Sequence, residues 1–441
     1  MTIEQDPVQY LKSISSVRDT TSQVYNYAKS KGEGNYFTLD LSKMPAVVDF
    51  LCGIIGRDYQ TNYSSIPPHG RWQHLNCGGE QRVESLIAQW RGSGVDEIEI
   101  ARKLIDLFVF SVLIDAGAGN VWKYTSPDSS RVGRSEGLAV ASYYLFIEGA
   151  LSADKQDPYK VNGQKLKELT MDQFVKGFQI SDTNPMSGAE GRLNLIQRLG
   201  VALVSNSEIF GPEGRPGGIV DYLYGKSTEQ DGTYVVDLND VWNALMDGLT
   251  SIWPMGRTTV EGKPLGDAWR LDTKADVSAA AGAANSEISD IVTFHKLTQW
   301  LCYSLLVPLE QFGYKFTIKH KDLQTGLPEY RNGGLFYDFG VLQLKPEALK
   351  RGLALSNKLG TVSANIPSFE PHDGAIVEWR CMTIGLLDDL LPLVNEKLQY
   401  QLSLPQLIEA GSWKAGREIA AQMRPETNGP PIELFSDGTV F

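Results

Sequence analysis

The chain has 441 residues, of which 42% are hydrophobic, 21% charged and 10% aromatic, and its net charge is −12. That length can bury one large core or two ordinary ones, and the acidic balance argues against nucleic acid or an anionic membrane as the main partner. Every long apolar run is broken by charge, polar residues, Gly or Pro, so no membrane span is expected. Cys52, Cys77, Cys302 and Cys381 lie far apart without a CxxC, which excludes a disulfide framework and a zinc ribbon. The N-terminal stretch MTIEQDPVQYLKSISSVRDT has no basic region followed by an apolar one, so a cytoplasmic protein is expected.

In chain order, HGRWQHLNCGG (69–79) reads as a polar turn. Asp96 precedes EIEIARKLIDLFVFSVLIDAG, amphipathic at first and apolar on all sides near Phe108–Ile114, which predicts a helix entering the core and stopped by Gly117 and Gly119. Ser135 is the expected cap of the next helix, EGLAVASYYLFIEG, and Thr170 with Gln173 forms a capping-box pair before another. Further helical patterns cover 188–205, 238–252, 286–307, 346–358, 374–400 and 405–423, whereas 253–285 reads as an irregular excursion that can divide two lobes. KFTIKH (315–320) alternates like a strand, and GGLFYDFG (333–340) reads as its hairpin partner. The expected fold is mainly α (α+β): a compact helical body with a small antiparallel β element in the C-terminal third. Its organisation reads as an N-terminal helical extension (1–40), one domain (41–425) and a C-terminal tail (426–441).

Polar, aromatic and glycine residues gather at six predicted element ends: 69–79, 115–124, 131–137, 211–223, 326–340 and 370–380. Glycine permits close approach of a ligand to the main chain, and loops carry much of protein chemistry. In each segment the alternative is that glycine ends a helix and nearby charges cap it. His69 and His74 are five apart, so a helix would not align them, but a loop can bring them together with an Asp or Glu around zinc. No HExxH supports that alternative. Arg71, Arg131, Arg134, Arg215 and Arg331 lie in turn-like or glycine-flanked segments and suit phosphate or carboxylate, whereas GPEGRPGG lacks the GK[ST] of a nucleotide loop and no GxSxG marks a serine hydrolase. Asp115, Glu136, Asp221, Asp338 and Glu378 are the carboxylates among apolar or glycine-rich neighbours. Such groups are paired or functional, and the structural alternative pairs Asp115 and Glu378 with an arginine such as Arg134 or Arg380. His295 reads as a core histidine. Trp72, Trp122, Trp300 and Trp379 either pack or stack on a ligand.

HGRWQHLNCGG, SVLIDAGAGNVWKY, RSEGLAVAS, GRPGGIVDYL, LTQWLCYSLLVPLE, GLPEYRNGGLFYDFGVL and EWRCMTIGLLDDL, taken in order, resemble the uracil-catabolism family. It is also called the uracil-catabolism protein four or uracil-regulated protein three family. The resemblance runs from about residue 40 to about residue 425 and implies a place in the pyrimidine-degradation route that neither reduces nor oxidises the uracil ring. GGLFYDFGVL is also similar to the aspartate-tyrosine-arginine segment of the helical queuosine-salvage nucleoside hydrolases, although Phe339 and Gly340 follow Asp338 here.

These likenesses imply a hydrolase that cuts the N-ribosyl bond of ribosylurea or its 5-phosphate and releases urea. In this reading Asp338 faces the cationic transition state or the water, with Glu378 or Asp221 as partner. Asp115 and Glu136 grip ribose hydroxyls, Arg71, His74 and Arg331 take a phosphate, and Trp72 covers the ligand. No cofactor is expected. The alternatives are a zinc amidohydrolase of a ureido group, with His69 and His74 as ligands, and a ligand sensor or scaffold without catalysis. The expected partner is a nucleoside- or nucleotide-derived small molecule.

Overall fold

Asp96 starts the helix Glu97–Leu113: its carboxylate accepts the Glu99 amide at 2.9 Å and satisfies a donor that the helix leaves unpaired. Every residue from Lys103 to Leu113 is buried, as the change from an amphipathic to an apolar pattern predicts. The chain is described by a computed structural model over residues 6–115, 117–119, 121–253, 257–282, 286–359 and 365–435. Its fold is mainly α with small β elements, and it divides into two compact units. Among the described residues no helix is long and apolar enough to cross a membrane.

One unit comprises described residues within 70–253 and 297–323. Around Glu97–Leu113 it gathers the helices Arg71–Leu75, Arg134–Ile147, Ala189–Ser205 and Gly218–Lys226. Asp106, inside the central helix, is fully buried. Burial pushes its carboxyl up, and the Arg215 guanidinium 2.7 Å away opposes that, as do the amides of Gly217 and Val161. Thr170 and Gln173 form the expected capping box before Met171–Gly177. Ser135 does not cap: the next helix begins at Arg134, and its cap position is the extended Gly133, which has no side chain to offer. KFTIKH does give a strand, Thr317–Lys319, but it pairs in parallel with Thr233–Asp237, which pairs antiparallel with Thr228–Gln230.

The other unit comprises described residues within 6–69, 257–296 and 324–435. The long helix Gly374–Leu398 runs through it against Ile14–Lys31, Met44–Tyr59 and Tyr330–Asp338. The N-terminal residues expected as an extension thus supply a helix packed on the centre of this unit. At Gly385 an added Cβ would lie 2.2 Å from the Tyr25 ring, whose hydroxyl donates to Asp389 at 2.6 Å. The expected hairpin strand GGLFYDFG is instead the helix Tyr330–Asp338. Glu329 explains the difference, because its two carboxylate oxygens accept the amides of Arg331 and Asn332 at 2.8 and 2.7 Å and nucleate a helix. A strand follows only at Leu342–Leu344, antiparallel to Phe37–Leu39.

The helix expected over 286–307 also starts later, as Lys296–Gln311. Before it, Ile291–Thr293 pairs antiparallel with Ala268–Arg270, His295 takes a φ of 44°, and Asp267 accepts the Lys296 amide at 2.9 Å. The C-terminal stretch adds Glu433–Leu434, parallel to Ser368–Phe369.

Candidate functional site

The segment read as a polar turn at 69–79 contains a short helix, Arg71–Leu75, which puts Arg71 and His74 on neighbouring turns. Gly70 precedes it because the Tyr303 carbonyl would lie 3.3 Å from any Cβ there, and the Arg71 amide donates to Ser304 Oγ at 3.1 Å. The Arg71 side chain is fully buried. Nε donates to Ser111 Oγ at 2.7 Å, Nη2 donates to the Ser111 carbonyl at 2.8 Å, and Nη1 lies 3.3 Å from His74 Nδ1 and 3.0 Å from Asp115 Oδ1. Ser142 closes the network by donating to Ser111 Oγ at 2.6 Å, and the His74 ring lies 5.3 Å from that of Trp300.

Asp115 stands just past the C-terminus of the central helix, where a carboxylate opposes the helix dipole. Two guanidinium groups offset this. Arg71 satisfies the Ser111 carbonyl, and Arg192 Nε donates to the Ile114 carbonyl at 3.1 Å. Burial pulls Arg192 down to about 10, Asp115 works against that pull, and the group stays charged at neutral pH. Glu136, also buried, lies in the first turn of Arg134–Ile147, where the dipole favours a negative group. Asp115, Arg71 and His74 are therefore one cluster, and their helices pack with the one that carries Glu136.

The remaining expected residues are placed elsewhere. Trp72 packs: its indole N–H donates to Glu84 at 2.8 Å and its ring stacks on Phe312 at 6.0 Å. Asp221 forms a two-pronged pair with Arg102 at 2.8 and 2.7 Å on a half-exposed surface. Asp338, expected on a strand, ends the helix Tyr330–Asp338, and both its oxygens are held by Arg424 at 2.8 and 2.5 Å. Among the described residues Glu378 has no arginine partner of the kind expected. It accepts the amides of Asn35, Tyr36 and Phe37 at 2.8, 2.9 and 2.9 Å and the Thr273 hydroxyl, and burial pushes its carboxyl up against the pull of those bonds. Arg380 pairs with Asp267 instead, and Asp115 pairs with Arg71.

His69 bonds Glu409, while His74 lies beside the Arg71 guanidinium, which disfavours a cation there. Among the described residues no group of three or more His, Cys, Asp or Glu side chains is placed to hold a metal ion. The His295 ring contacts the Leu11 carbonyl at 2.7 Å and is buried, and its basicity is lowered mainly by burial, as for a core histidine. Sequence reasoning passed over Ser111, Ser142, Arg192, Glu409 and Asp267. A lone serine inside FVFSVL was the available signal for Ser111, whereas the others meet their partners across long stretches of chain.

This arrangement belongs to a family defined by sequence: residues 10–441 match the proteins of unknown function DUF1688, and the chain is a member. It is 71% identical over 444 residues to Uracil catabolism protein 4 of Lachancea kluyveri, with both chains covered in full. It is 42% identical to Protein urg3 of Schizosaccharomyces pombe over 99% of each chain.

Proposed function

We propose that this protein acts in uracil catabolism, and that it hydrolyses the N-ribosyl bond of ribosylurea or its 5-phosphate. The name of the Lachancea kluyveri relative supports the pathway. The observation that carries the chemistry is the buried Asp115, fixed 3.0 Å from Arg71 with His74 against the same guanidinium. In the reaction the bond from the anomeric carbon to the urea nitrogen breaks, water supplies the new carbon–oxygen bond, and the urea nitrogen takes a proton. Asp115 stabilises the positive charge that grows on the sugar, the role first expected of Asp338, whose oxygens Arg424 occupies. The proton lost by the water passes to the urea nitrogen, His74 hydrogen-bonds the departing urea, Arg71 positions Asp115, and Glu136 holds a ribose hydroxyl.

The test incubates the full chain with ribosylurea and with its 5-phosphate and assays free urea. Urea release is expected, and Asp115→Asn lowers kcat about 100-fold with little change in KM. Absence of urea from both substrates, or an Asp115→Asn protein with wild-type circular dichroism and turnover within about tenfold of wild type, overturns the reading.

A further inference from the structure

Three serines interrupt apolar and aromatic helical runs: Ser111 in FVFSVL, Ser142 in AVASYYL and Ser304 in LCYSLLV. All three are buried, Ser111 and Ser142 completely. A buried hydroxyl costs stability unless it is bonded, and alanine would fill nearly the same space without that cost. The three come from different helices, Glu97–Leu113, Arg134–Ile147 and Lys296–Gln311, yet their bonds lead to one residue, Arg71.

Ser111 and Asp115 stand four apart at the end of the central helix. The Asp115 amide turns back to the Val112 carbonyl at 3.0 Å, so the Ser111 carbonyl lacks the donor a continuing helix would supply. Arg71 Nη2 fills that place and Nε takes the hydroxyl of the same residue. One edge of the guanidinium is thereby docked on Ser111, with Nη1 at Asp115. A buried guanidinium can also be held in part by stacking, as Arg331 is, 4.5 Å from the Trp413 ring centroid. Directed bonds do more, because they fix the rotation of the group within its plane. The Arg71 backbone is fixed as well, through its amide on Ser304 Oγ. Ser142 bonds Ser111, and among the described residues it does not bond Arg71. It lies on the helix that carries Glu136, so its bond to Ser111 ties that helix to the one that leads into Asp115.

We propose that Ser111, Ser142 and Ser304 are positioning residues, which hold the Arg71 guanidinium in one rotation and through it fix Asp115 against the sugar. The inference rests on the N-ribosyl reading for what Asp115 does, and on the hydrogen bonds alone for how Arg71 is held.

Ser111→Ala, Ser142→Ala, their double variant and Ser304→Ala are assayed for urea release, with melting temperatures. Ser111→Ala is expected to lower kcat about 10–30-fold with KM within about twofold, because a turned Arg71 weakens Asp115 in the transition state and leaves substrate binding alone. Ser142→Ala and Ser304→Ala each lower kcat about three- to tenfold. The Ser142 loss disappears in the double variant, the pattern of a residue that acts through Ser111 and not of a packing defect. Nitrogen-15 spectra of the arginine Nε–H groups, assigned with Arg71→Lys, need no turnover. The Arg71 resonance is expected to exchange slowly with water in the wild type, and to move and exchange faster in Ser111→Ala. If the wild type releases urea from neither substrate, the N-ribosyl reading falls and these spectra decide how Arg71 is held. Where Ser111→Ala does not fold, Ser142→Ala and Ser304→Ala carry the same readouts, and an unmoved Arg71 resonance in both overturns the proposal. A folded Ser111→Ala protein with kcat within about threefold of wild type, a loss that falls on KM, additive losses in the double variant, or an unmoved Arg71 resonance in Ser111→Ala overturns it equally.

Discussion

Replacing Arg380 by methionine leaves Asp267 as a buried carboxylate stripped of half its donors. In the wild type, Asp267 accepts Arg380 Nη1 and Nη2 at 2.8 and 2.7 Å, the Lys296 amide at 2.9 Å and the Trp269 indole at 2.7 Å. The guanidinium is buried, 3.8 Å from the Phe294 ring centroid. Breaking such a pair from one side costs about 3–5 kcal/mol, whereas removing both partners costs less because no orphaned charge remains. Arg380→Met is therefore expected to lose about 3–5 kcal/mol, and the double variant Asp267→Leu/Arg380→Met less than the sum of its single changes.

Acid sharpens the test. Burial pushes Asp267 up, but the Arg380 charge and the four hydrogen bonds outweigh it and hold the carboxyl well below its ordinary range. Its stabilisation is complete above about pH 4, the unfolded value, and is lost as pH falls towards the folded one. Without Arg380 the pull of burial dominates, the folded carboxyl titrates above the unfolded one, and protonation relieves the variant. Its deficit therefore shrinks between about pH 7 and pH 5. Urea unfolding followed by circular dichroism and tryptophan fluorescence at both pH values measures this. A deficit under about 1 kcal/mol, or one that grows on acidification, refutes the reasoning.

Two further substitutions separate structure from chemistry. Asp338→Asn leaves Arg424 without its charged partner, so a loss of about 3 kcal/mol is expected, with part regained in Asp338→Asn/Arg424→Gln; calorimetric melts check both. Glu378→Gln replaces one of two accepting oxygens by a donor facing backbone amides and the Thr273 hydroxyl, so a loss of about 2–4 kcal/mol is expected in urea unfolding, and an unchanged midpoint would contradict the contact set.

What could be read from sequence was local. The Asp96 cap, the Thr170–Gln173 box and the helix Gly374–Leu398 depend on residues a few places apart, and all three appear where the pattern puts them. Asp115 and Glu378 stand out as costly carboxylates among apolar neighbours, but their partners, Arg71 and the 35–37 amides, lie far away in the chain. Nothing in a one-dimensional pattern distinguishes these from Arg134 or Arg380. The strand reading of GGLFYDFG took aromatic content as β-propensity, and the capping carboxylate of Glu329 prevailed. Glu409 was missed because a π-turn changes which face a residue occupies without altering the hydrophobic spacing around it.

The grip of Glu378 on residues 35–37 has an evolutionary corollary. Main-chain N–H groups are common to every amino acid except proline, so Asn35, Tyr36 and Phe37 can drift without loosening this hold, provided proline stays out. Gly34 has no such freedom, because a Cβ there would stand 2.4 Å from the Glu378 oxygen. Across divergent relatives, positions 34 and 378 should vary together or not at all, a covariation signature imposed by the course of the chain.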